Sequence, residues 1–146
     1  MKREREQYVF SIEGYKQYVS LREEVNGCLQ RSLGDQFYFV EIAINEAVNN
    51  CFFHGTPNLP AKSIMVQLEI RALNKKTMIR IRDNSVGFAG NDRLRIIGED
   101  VQGFKENSLY GESGRGIFMM RELVDRMMYN KQGNELLLVK DHSCSK

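Results

Sequence analysis

Residues 36–55 read QFYFVEIAINEAVNNCFFHG, and the reading of everything around them depends on this stretch. No Pro or Gly interrupts it before Gly55. Asp35 stands where an N-cap belongs and Gly55 where a helix ends. At about 100° per residue, Val40, Ile44, Ala47, Val48 and Cys51 share one face, so the helix packs on a core. Its other side is polar. Glu46 and Asn50 are one turn apart and lie one above the other, with Asn49 beside them and Asn45 and Glu41 extending the edge. Asn is a middling helix former, so three on one helix admit two readings. One is a solvated face. The other is a carboxylate and an amide oxygen placed to hold a hard cation and to orient a hydroxyl or water.

On the N-terminal side, Tyr8, Phe10 and Ile12 alternate with Ser11 and Glu13 and predict a strand, broken by Gly14. Tyr18, Leu21, Val25 and Cys28 recur at helical spacing and predict a helix over 15–29, followed by a turn over 32–35. Beyond the polar helix, 56–61 contains both prolines, Pro57 and Pro60, and reads as an irregular connection. Ile64, Val66, Leu68 and Ile70 alternate as a strand. Asn74-Lys75-Lys76 makes a hairpin turn, and Thr77, Ile79 and Ile81 mark the antiparallel partner. Residues 89–113, with Gly90, Gly98, Gly103 and Gly111, form a long segment without periodicity, which in a compact domain reads as a lid or a disordered segment. Gly114-Arg115-Gly116 precedes a further helix with Ile117, Met120, Leu123 and Val124 on one face and Met127 continuing it. Met128 and Tyr129 begin a strand, Lys131 to Asn134 turn, and Leu136 to Val139 form a final strand.

The order β, α, α, β, β, lid, α, β, β predicts one α+β domain over residues 1–146. It is a two-layer α/β sandwich whose mixed, largely antiparallel sheet is covered on one face by helices. The 146 residues suffice for a single core. A net charge of +2 gives no footprint for nucleic acid. No apolar run reaches the roughly 18 residues of a membrane span, and the charged start Met1 to Glu6 leads into no secretory signal. Cys28, Cys51 and Cys144 are too widely spaced for a zinc motif and odd in number, which reads as reduced thiols in a cytoplasmic protein.

Three stretches carry the chemistry. The first is Glu46 with Asn50. The second is DNSVGF, Asp83 to Phe88, at a strand end. An Asp placed there accepts a hydrogen bond from an exocyclic amine, which suits adenine, and Gly87 lets the backbone turn or approach a ligand closely. The third is GESGRG, Gly111 to Gly116, opening a helix. Its glycines expose N–H groups at a helix N-terminus, a setting for phosphates, with Arg115 in reach of a terminal phosphate. Taken singly, each also reads as an ordinary turn or helix entry. His54 at a helix end suits the negative terminus, His142 falls in a polar tail, and Met119, Met120, Met127 and Met128 read as core filler.

Together and in this order the three stretches resemble the GHKL ATPase superfamily (Bergerat fold), and most of all its branch of bacterial anti-sigma-factor serine/threonine kinases. The resemblance rests on Glu46, Asn50, His54 and Gly55, then Asp83, Gly87 and Phe88, then Gly114, Gly116, Ile117 and Phe118. It implies ATP and Mg²⁺ as cofactors. Glu46 is then the general base and Asn50 the Mg²⁺ ligand. Asp83, Gly87 and Phe88 lie on the adenine side, and Gly111, Ser113, Gly114, Arg115 and Gly116 around the phosphates. It implies phosphorylation of an anti-anti-sigma STAS-domain protein, restraint of a sigma factor, and a homodimer. Two departures stand out: Ser85 replaces a glycine of the adenine-side motif, and Leu136 to Val139 lacks the family's Thr or Ser. The competing expectation is a non-catalytic ATP-gated binding module of the same fold. A sensor histidine kinase fits less well, because neither histidine sits in a phospho-accepting helical hairpin.

Overall fold

The alternation at the start of the chain does form a strand, β1 (Glu6–Glu13), with Phe10 and Ile12 turned inward. The structure, a computed structural model, describes residues 6–54, 64–84 and 111–142, with backbone alone at 54 and 111–115. Gly14 adopts φ 92°, where a side chain is strained, and turns the chain into α1 (Tyr15–Leu33). This helix runs one turn beyond the predicted 15–29, because Val25, Leu29 and Leu33 continue a buried stripe at i+4 spacing.

A 3₁₀ turn (Gly34–Gln36) leads into α2 (Phe37–Asn49), whose buried residues are Phe37, Val40, Ala43, Ile44, Ala47 and Val48. The expected cap is corrected here. The N-cap position falls on Gln36, one residue past Asp35, and no side chain caps the helix. At Asn50 the α-helix widens into a π turn (Asn50–His54). Tyr15 of α1 packs edge-on to Phe52 and lies 5.0 Å from Phe53 with the rings tilted by 60°, so α1 supports this wider turn.

Two strands, β2 (Met65–Ala72) and β3 (Lys76–Asp83), form the expected hairpin, with Leu68 opposite Ile81 and Ile70 opposite Ile79. Next in the described chain is α3 (Gly111–Leu123), then β4 (Arg126–Tyr129) and β5 (Glu135–Asp141). α3 begins at Gly111 rather than after Gly116, so 111–113 of the expected lid are helical; glycine weakens a helix without forbidding it. Met127, expected to continue the helical face, lies on β4 instead. The turn before β5 is tied by Asn130, whose Oδ1 accepts from the N–H groups of Gly133 and Asn134, while Gly133 sits at φ 86°.

The five strands run in the order β1-β2-β3-β5-β4, and all four pairings are antiparallel. The three described helices cover one face. Ile12, Leu68, Ile70, Ile79, Ile81 and Leu138 meet Leu29, Ile44, Val48, Ile117 and Met120 in a single core. The opposite face is polar: Arg80 pairs with Glu69 at 3.6 Å and Arg82 with Glu135 at 2.6 Å. One buried polar node joins the layers. Thr77 is fully buried, hydrogen-bonds His142 Nε2 at 2.8 Å and also meets Ser32 of α1. His142 is therefore part of the fold and not of a polar tail. Among the described residues no helix is long and apolar enough to cross a membrane.

Candidate active site

The polar residues of α2 divide between two neighbours, because this helix packs on α1 at one side and α3 at the other. Glu41 accepts a 2.6 Å hydrogen bond from Asn26 Nδ2 on α1, and Asn45 Oδ1 accepts from the hydroxyl of buried Tyr18. These two residues fasten helices together. Burial raises the Tyr18 phenol well above its ordinary value, which keeps it a donor. One part of the polar edge therefore has a structural use, and the sequence alone could not separate it from the rest.

Glu46 turns toward α3. Its side chain lies against Gly116: a Cβ added to that glycine would stand 2.7 Å from Glu46 Cδ and 3.0 Å from Cγ. Atoms of that kind do not approach so closely, so the glycine is what admits the carboxylate. The sequence places Gly116 in a phosphate-binding segment; the structure gives it the added task of housing the candidate base. The backbone of Gly111 and Gly114 belongs to the first turns of α3. The side chains of Ser113 and Arg115 lie outside the described residues, as do Ser85, Gly87, Phe88, Gly55 and the expected lid over 89–110.

One turn beyond Glu46, Asn50 sits at the junction of α-helix and π turn. Its N–H is shared between the carbonyls of Ala47 and Glu46. Its side-chain Oδ1 is buried and has no hydrogen-bond partner among the described residues, and the same holds for Oδ1 of Asn49. An orphaned buried amide oxygen costs about 1–3 kcal/mol, so it is a place where an ion, a ligand or a water can bind. π turns inside helices recur at functional sites. Among the described residues, no three His, Cys, Asp or Glu side chains form a metal cluster. A cation here would have few protein ligands, the pattern of Mg²⁺ held by one or two protein oxygens and by phosphates. The neutral oxygen of Asn50 fits that role.

Asp83 ends β3 opposite Val66, with its N–H bonded to the carbonyl of Asn134 at 3.0 Å. The thiol of Cys51, the residue after Asn50, senses the Asp83 carboxylate. Burial, and then the charge and hydrogen bond of Asp83, push the Cys51 thiol well up from its ordinary value. Sequence reasoning placed Cys51 on the core face and gave it no part in the site. The π turn lets one short segment serve both Asn50 and Asp83. Glu46, Asn50, Asp83 and Gly116 thus occupy linked positions, with α2 and its π turn as the common element.

A family model described as histidine kinase-like ATPase domain matches residues 15–140, from the first residue of α1 into β5. A search of curated proteins gives no match.

Proposed function

We propose, from the premise that this chain belongs to the histidine kinase-like ATPase domain family, that it is an ATP-dependent serine/threonine protein kinase of the anti-sigma-factor type. Its substrate would be a hydroxyl on an anti-anti-sigma STAS-domain protein, and a sigma factor would be the partner it restrains in the cytoplasm, with the kinase working as a homodimer. The family supports ATP binding and phosphotransfer in general terms. The finer reading rests on one observation: the Glu46 carboxylate is seated on Gly116 of α3, one turn from the orphaned oxygen of Asn50.

In this reading Asp83 accepts from the adenine amine and the start of α3 faces the phosphates. Asn50 would hold Mg²⁺, which when bound would offset phosphate charge. Glu46 takes the proton of the incoming hydroxyl as its oxygen bonds to the γ-phosphorus. The bond from that phosphorus to the bridging oxygen breaks, and ADP leaves with the electron pair. Positioning and charge complementarity carry most of such a reaction.

Transfer of ³²P from the γ-position of ATP to a STAS-domain protein tests it, with the acceptor residue then mapped. Label on a serine or threonine supports the kinase. ATP binding without transfer to any STAS protein or sigma partner favours the ATP-gated binding module. Ser85, standing where the family motif has glycine, is the observation on that side.

A further inference from the structure

We infer that Asn130 is a positioning residue for the nucleotide site: its side chain builds the turn between β4 and β5, and that turn fixes where β3 delivers Asp83. The inference rests on the nucleotide reading of Asp83 given above and adds to it a residue from a different hairpin.

Asp83 is held differently on its two sides. Toward β2 it pairs with Val66 inside the ladder. Toward β5 the strand pairing ends one residue earlier, at Arg82 and Glu135, whose side chains also meet at 2.6 Å. The N–H of Asp83 goes instead to the carbonyl of Asn134, at 3.0 Å, and Asn134 precedes β5 in the turn. This hold on the end of β3 is therefore only as firm as the turn. Residues 130–134 lie between the two strands, so the shape of the turn depends on its own bonds. Asn130 supplies them. Its Oδ1 accepts from the N–H groups of Gly133 at 2.7 Å, Asn134 at 3.0 Å and Glu135 at 3.2 Å, and its Nδ2 donates to Asn134 Oδ1 at 2.9 Å. Such bonds from an Asn side chain to nearby backbone are turn-forming chemistry, and Gly133, at φ 86°, takes the left-handed step in the loop. One side chain thus grips both the backbone and the side chain of the residue whose carbonyl holds Asp83. Asn130 itself is exposed and stands outside the core. What its network fixes is the place of the Asn134 carbonyl, and through it the end of β3.

Hydrogen exchange on the full chain, read at single amides by NMR, measures the hold on Asp83, and calorimetry with Mg²⁺ and ATP measures its use. Asn130→Ala removes the side-chain bonds of the turn. It should speed exchange of the Asp83 amide at least about ten-fold relative to that of Ile79 in the middle of β3. It should also weaken Mg²⁺–ATP binding by about three-fold, because the site is then correctly placed for only part of the time. Asn130→Asp keeps the accepting oxygen and should recover both quantities. A merely structural turn predicts otherwise: well below the melting temperature, a loss of overall stability leaves ATP affinity where it was. Unchanged relative exchange at Asp83 in Asn130→Ala overturns the inference alone, and so does faster exchange at unchanged ATP affinity. A parent that binds no ATP overturns the inference together with the nucleotide reading of Asp83.

Discussion

The carboxylate of Glu46 occupies the space that a side chain at Gly116 would need. The candidate base and the helix expected at the phosphates are thus fitted to each other across α2 and α3, about 70 positions apart in sequence. Gly116→Ala sets a methyl group against Glu46 Cδ. We expect a loss of about 1–3 kcal/mol in stability, as for other overpacked sites, and a larger loss of phosphotransfer. Glu46→Ala in the same chain should recover the stability but not the activity, because the clash is removed together with the base. A thermal melt of both single variants and the pair measures the coupling. Independent, additive effects would show that the two residues do not share this space.

Glu46→Gln keeps the size and hydrogen bonding of the side chain but removes the basic carboxylate. Nucleotide affinity should stay within a few-fold, while phosphotransfer falls by roughly 100-fold or more. Calorimetry and single-turnover transfer separate the two quantities. Unchanged transfer would remove Glu46 from the role of base.

Asn50→Leu should move stability and binding in opposite directions. The buried oxygen lacks a partner among the described residues, so replacing the amide with an apolar group of similar shape raises stability by up to about 1 kcal/mol. The same change deletes the oxygen proposed for Mg²⁺ and should weaken Mg²⁺–ATP binding at least ten-fold. A variant less stable than the parent would mean that Asn50 already has a structural partner.

The Tyr18 phenol gives an alkaline signature. Its pKa is raised in the folded chain above an ordinary value of 10.0, chiefly by burial. The neutral phenol is thus favoured by folding. That contribution is fully present below pH 10 and is lost as pH rises above it, where the unfolded chain gives up the proton first. Tyr18→Phe should flatten this decline in a urea titration between pH 9 and 11 and cost about 1–2 kcal/mol at neutral pH, since Asn45 loses its donor. An equally steep alkaline decline in the variant would assign it to other groups.

The architecture was largely legible because its signals are local. Val66, Leu68 and Ile70 alternate within one strand, and Val40, Ile44 and Ala47 repeat within one helix; each needs only its own neighbours to be read. Three features escaped for the opposite reason. Nothing in NCFFH distinguishes a π turn from one more helical turn, so the direction taken by Cys51 was hidden. The division of Glu41 and Asn45 from Glu46 and Asn50 depends on which helix flanks each side of α2. The space at Gly116 depends on Glu46, which no local pattern links to it. Asp35 was misread as a cap because the 3₁₀ turn shifts the helix start by one residue, and His142 was misread as tail because its partner, Thr77, is a distant strand residue.

The sheet order has a consequence for the chain as it is made. β5 is inserted between β3 and β4, although the ribosome produces it after every other strand. As synthesis proceeds from the N-terminus, the β1–β2–β3 meander with α1 and α2 emerges as a unit that already holds Glu46, Asn50, Cys51 and Asp83. It lacks Gly116 and the flank that β5 supplies to β3. A nascent chain stalled before α3 would therefore present the candidate base and the proposed cation ligand without Gly116 opposite them. ATP gripped by α2 and α3 together would bind only after the C-terminal elements dock, and by mass action it would favour that finished state over the partly built one.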